Sequence, residues 1–175
     1  AGWHRSDVGV QFACSDALSG LAGPCPSART ISQEGRNIPL NDSVGDLAGN
    51  FGGASLSISL DKTAPLLSVN MPPADIVLNA SHDFALNASD ALSGIASQSC
   101  GAINTGTLGT RTVTCTAVDR AGNTTSRSAT YRVVYDVVPL SAPLSNPGQL
   151  YLVEAPRSVP FEWRLRDANG TPVAN

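Results

Sequence analysis

Ser15-Asp16-Ala17-Leu18-Ser19-Gly20 returns letter for letter as Ser89-Asp90-Ala91-Leu92-Ser93-Gly94, 74 residues further on. A second string keeps nearly the same offset. Asp46-Leu47-Ala48-Gly49-Asn50 is echoed 73 residues later by Asp119-Arg120-Ala121-Gly122-Asn123. Two anchors repeating in register identify a tandem array of one structural unit. A period near 74 divides the 175 residues into two small units and a remainder.

Outward from the first hexapeptide, the pattern is that of strands. Val8, Val10, Phe12 and Cys14 alternate with Gly9, Gln11 and Ala13, so one face of an extended segment is apolar. Ala17 to Gly23 reads as a turn or a single helical turn. Ile31, Ile38, Leu40 and Val44 are candidate inward positions of the next stretch. Asp46 to Asn50 has the small polar residues of a tight turn that tolerates left-handed backbone. Leu56, Ile58 and Leu60 then alternate with Ser55, Ser57 and Ser59, a half-buried strand. Asp61-Lys62-Thr63-Ala64-Pro65 is read as a joint, because Pro65 stiffens the chain and holds the preceding residue extended.

The second unit opens on Leu66 to Val69, breaks at Pro72-Pro73 and resumes with Phe84, Leu86 and Ala88. Val113, Cys115 and Ala117 mark its strongest strand, and Ala129, Tyr131, Val133 and Tyr135 its closing one. Pro139, Pro143 and Pro147 suggest a second linker over 137–148. Phe161, Trp163 and Leu165 then alternate with charged residues ahead of the hairpin signal Asn169-Gly170. No stretch has a helical period of useful length. The expectation is an all-β chain divided into 1–62, 63–136 and 137–175, the last a linker with a partial β-module.

Small units benefit from staples. Each repeat holds two of the four cysteines, so Cys14–Cys25 and Cys100–Cys115 is the simplest of three connectivities. Neither pair has zinc-ligand spacing, and only His4 and His82 are available as further ligands. Disulfides point outside the cytoplasm. Eleven basic against fourteen acidic residues, with Lys62 the single lysine, leave no basic patch for nucleic acid. No apolar run is long enough to span a bilayer. With Ala1 first and no leader pattern, the chain reads as a processed piece of a longer precursor.

Gly2-Trp3, Phe12 to Gly20, Cys25-Pro26, Glu34-Gly35, Asp46 to Asn50 and Asp61 to Pro65 resemble the bacterial Ig-like repeats of large secreted and surface proteins. Gly109 to Ala117 with the Ala-Gly-Asn turn resembles their hyalin-repeat-like (HYR-type) relatives. Arg157 to Phe161 with Leu165 to Gly170 is similar to the β-module that often follows them. The resemblance implies tandem Ig-like β-sandwich domains, a stalk, adhesion or filament role, and no shared catalytic residues. By the same resemblance a repeat begins with a Thr-Ala-Pro strand ahead of Gly2-Trp3, and the lack of that strand here would leave the first sandwich short of an edge. A neighbouring repeat or a copy of the same chain is the candidate partner, by strand addition. One departure is that Asp42 aligns with Cys115, so the two disulfides would staple different places.

Asp16, Asp61, Asp90, Asp119 and Asn123, with Asp46 and Asn50, are the recurrent hard-oxygen positions and hence candidate calcium ligands. The plainer reading has Asp and Asn capping turns through their own backbone amides, since no D-x-D-x-D-G loop is present. No nucleophile motif accompanies His4 or His82, so catalysis is not expected. Trp3, Trp163, Tyr131, Tyr135 and Tyr151 are the aromatics available for sugar stacking, the alternative role being an accessory carbohydrate-binding module of a secreted hydrolase, but most alternate with polar residues in strands, which favours core packing. Asn79, Asn87 and Asn123 begin glycosylation sequons.

Overall fold

The computed structural model describes residues 2–139 and 163–173, which are strand, turn and extended chain with no helix among them. The strands of the first repeat are β1 (Trp3–His4), β2 (Val8–Val10), β3 (Arg29–Ile31), β4 (Gly35–Gly45) and β5 (Phe51–Leu60). Next come β6 (Leu66–Val69), β7 (Asp75–Val77), β8 (Leu86–Ser89), β9 (Ile95–Cys100), β10 (Gly109–Asp119) and β11 (Thr124–Val134). β12 (Asp136–Pro139) and β13 (Trp163–Arg166) follow.

The two repeats share a pairing scheme. In the first, β5 lies antiparallel to β4 and parallel to β1, giving the order β1-β5-β4. The second has β7-β11-β10, with β9 added beside β10. Parallel pairing puts His4 opposite Leu60 and Ile76 opposite Val133, one register in two copies. Smaller two-stranded sheets join β2 to β3, β6 to β8 and β12 to β13.

Burial follows the period-2 pattern where a strand has a core on one side. Val113, Cys115 and Ala117 are buried, and Val113 clusters with Ile76, Tyr131 and Val133. Partly buried Leu78, Phe84, Ile103 and Ala129 pack around this cluster. On the outer face Thr114 meets Ser128 at 2.8 Å, and Thr116 meets Ser126 at 3.0 Å, cross-strand hydroxyl pairs. In β5 the alternation expected of Leu56, Ile58 and Leu60 holds only in part. Leu56 is 45% exposed, while Ile58, Ser59 and Leu60 are all buried. Ser59 goes inside because Trp3 pairs alongside it and its Oγ accepts the Asn37 amide at 3.0 Å.

Cys14 is bonded to Cys25 and Cys100 to Cys115, and no free cysteine remains. Residues 137–139, read from sequence as the start of a linker, belong to β12 and pair with β13. Asp167 to Thr171 turns the chain so that Pro172 bridges back to Arg166. Pro143, Pro147, Tyr151, Phe161 and the Arg157-to-Pro160 stretch lie outside the described residues.

The chain separates into two compact units that do not follow the sequence repeats. One holds Ala1–Ser68, Leu86–Ser99 and Thr116–Ser126; the other holds Val69–Ala85, Cys100–Cys115 and the described part of Arg127–Asn175. The first unit therefore takes in the whole first repeat and also the two turn segments of the second that carry Asp90 and Asp119.

Candidate functional site

Both copies of the hexapeptide fold into the same loop. In the first, Asp16 Oδ1 accepts the Leu18 amide at 3.1 Å, the Ser19 hydroxyl at 3.3 Å and the Gly20 amide at 2.7 Å. In the second, Asp90 Oδ1 accepts Leu92, Ser93 and Gly94 at the same 3.1, 3.3 and 2.7 Å. Both loops close on a glycine at φ +79°, a left-handed conformation that L side chains rarely adopt.

The pentapeptides are hairpin turns of one design. Asp46 Oδ1 takes the Asn50 amide at 2.8 Å and Asp119 Oδ1 takes the Asn123 amide at 2.9 Å, with Gly49 and Gly122 both at φ +91°. Asp167 does the same for the Thr171 amide at 2.8 Å, with Gly170 at φ +77°. In each repeat the turn and the loop are tied together. The Leu47 amide donates to Gly20 O at 3.0 Å, and the Arg120 amide to Gly94 O at 2.9 Å.

What differs is the third member. Asp61 leaves the end of β5 fully buried and accepts the Ser93 amide on Oδ2 at 3.0 Å and the Thr63 amide on Oδ1 at 3.0 Å. This brings the carboxylates of Asp61, Asp90 and Asp119 together, with one oxygen from each lying within 4.8 Å of the other two. Asp119 is 1% exposed and Ser93 fully buried. Asn123 locks the group by donating through Nδ2 to Asp119 Oδ2 at 2.8 Å, Asp61 O at 2.9 Å and Thr63 O at 3.2 Å. Two further contacts hold the loops: Arg36 donates to Leu92 O at 2.9 Å and Arg5 to Gly122 O at 3.3 Å.

No lysine or arginine side chain bonds these three carboxylates among the described residues. Carboxylates this close, two of them buried, form a concentrated patch of oxygen donors of the kind that attracts a cation. The donor set is hard oxygen, which suits calcium. Of the residues singled out in the sequence, Asp61, Asp90 and Asp119 come together. Asp16 stands apart in the equivalent loop of the first repeat, bonded to its own backbone. Asn123 is adjacent, its Nδ2 donating into the group, and the acids that converge are the three aspartates.

Burial pushes the Asp90 carboxyl up, but the Gly94, Leu92 and Ser93 amides outweigh it and hold it below the ordinary value. The Asn50 side-chain amide does the same for Asp46, and the Asn79 amide, at 2.9 Å, for Asp167. Neither the known family models nor the curated proteins match this chain.

The other candidates disperse. Tyr131 is a core residue whose hydroxyl accepts the Asn104 amide at 3.0 Å, so it is unavailable for stacking sugars. Trp3 is covered by the Arg36 guanidinium at 5.1 Å from its ring centroid, and Trp163 stands half-exposed on β13. His82 packs edge-on against Phe84 and its buried Nε2 has no partner. It borders a shallow cleft of about 610 Å³ lined also by Asp75, Asp136, Arg166 and Asp167. No helix is long and apolar enough to cross a membrane among the described residues. The two disulfides fit an oxidising, extracellular environment.

Proposed function

We propose that the chain is a segment of an extracellular array of Ig-like β-sandwich repeats, working as a spacer, stalk or filament element rather than as an enzyme. The observation that carries this reading is the joint at Asp61. A flexible tether would leave Asp61 in solvent, whereas here it is fully buried and bonded to the loops of the next repeat. Reach at fixed geometry is what such a joint supplies. In this reading calcium sits among Asp61, Asp90 and Asp119, offsetting their charge and making the fixed geometry dependent on the ion.

Melting the full chain in calcium and in chelator tests the ion. Calcium at about a hundredfold its dissociation constant raises stability by about 2.7 kcal/mol, and D61N abolishes the rise. Identical melting curves with and without chelator remove calcium from the proposal. Electron microscopy of the native source material tests the array, which predicts beads in linear succession. Saturable binding to an insoluble polysaccharide would favour the carbohydrate-binding role instead.

A further inference from the structure

The first repeat presents, open to solvent, the same end that the second repeat has covered. Leu18 is 99% exposed, Leu47 71% and Phe51 81%, whereas Leu92, the counterpart of Leu18, is partly buried beneath Arg36. Ser93 is fully buried, and its counterpart Ser19 is not. The same contrast runs along the neighbouring edge. In the second repeat β8 (Leu86–Ser89) is paired by β6 (Leu66–Val69), the strand that follows the Asp61-to-Pro65 joint. By the hexapeptide register, β8 corresponds to Phe12–Ser15. That segment belongs to no strand and has no ladder partner among the described residues.

A groove of about 300 Å³ runs along it, lined by Phe12, Cys14, Asp42, Val44 and Gly53. One lining atom lacks its partner: Asp42 Oδ1 is held by Arg29 at 2.7 Å, but Oδ2 is buried with no donor. A buried carboxylate oxygen without a donor is costly. An incoming strand carries backbone N–H groups, the donors this wall lacks. The second repeat has no such need, since Cys115 occupies the matching position.

We propose that the Phe12–Ser15 edge and the exposed Leu18/Leu47/Phe51 end form a docking site for the tail of another repeat. Its occupant is an extended segment of the Asp61–Val69 type, Asp-x-Thr-Ala-Pro-Leu-Leu-x-Val, added to the edge as a strand. Leu67 specifies it, because this is the residue of β6 that goes inside, at 5% exposure. The proposal rests on the array reading but not on calcium.

The test joins a copy of residues 61–72 ahead of Ala1 in the full chain, which reproduces the spacing between β6 and β7. Amide hydrogen exchange is followed at Phe12–Ser15 without added calcium. The expected result is that exchange there slows by about a hundredfold, approaching the rates at Leu86–Ser89. The same extension with the added copy of Leu67 changed to Asp leaves exchange fast. Unchanged exchange in the extended chain overturns the proposal, as does equal protection from the Leu67→Asp extension. In the unextended chain, protection that rises with protein concentration overturns the assigned occupant, since a second copy would then be filling the edge unaided. The array reading survives any of these results if linear beads are still seen in native material.

Discussion

The two repeats build their loops on matching hydrogen bonds and differ in what covers them. Asp16 and Asp90 make the same three hydrogen bonds, and the Asp46 and Asp119 turns the same backbone closure. Yet among the described residues it is in the second repeat that a residue from outside, Asp61, meets the loops, where Ser93 and Asp119 are buried. Loop geometry is therefore local, set by an aspartate and a left-handed glycine. Burial, and with it any ion site, is set by the neighbour.

The sharpest way to break this comparison is to remove the turn aspartate from each copy. D119A takes the acceptor from the part-buried Asn123 backbone amide and one of three from its Nδ2, and should cost about 2 kcal/mol, read by urea unfolding. D46A, at an uncovered turn, should cost clearly less. Equal losses would mean that the covering of the second repeat contributes nothing.

Next in size are the staples. Cys100→Ser with Cys115→Ser opens a loop with a sequence separation of 15 and should cost about 3 kcal/mol. Opening Cys14–Cys25, with its separation of 11, should cost slightly less on loop length alone. A reversed order would show that the second bridge, despite its buried Cys115, is the weaker constraint.

Smaller still, G20A and G94A should each lose about 1 kcal/mol, because both sites sit at φ +79° and no backbone lies close. Matching losses sharpen the claim that the loops are equivalent. The smallest effect is acid sensitivity. Asp46, Asp90 and Asp167 are held below the ordinary carboxylate value when folded. Their stabilisation is complete above the unfolded value of about 4 and is lost as pH falls through the depressed ones. Melting scans should therefore show a drop only below about pH 4.

Much of this was legible from residues alone. The duplicated strings gave the period, and alternation in Arg111–Val118 and Ala129–Tyr135 marked the two central strands of the second repeat. Asp61, Asp90 and Asp119 stood out as recurrent acids. Short strands escaped notice: β7 and β9 are stabilised by their partners, and Ile95–Cys100 has too few apolar residues to show a period. Burial of Ser59 was hidden because a serine announces nothing about its surroundings. That Asn123 ties Asp61 and Thr63 to the Asp119 turn depends on where its side-chain amide falls in space, which spacing cannot encode.

The parallel pairs β1–β5 and β7–β11 each lay an early strand of a repeat beside its closing one. Tension applied through the two ends of a repeat then slides those strands lengthwise past each other. The Asp61 amide on His4 O at 2.8 Å, and in the second repeat Arg132 on Ala74 O and Leu78 on Val134 O at 2.7 and 2.8 Å, would have to rupture together rather than unzip one by one. A clasp of that kind is weak when peeled and tenacious when sheared.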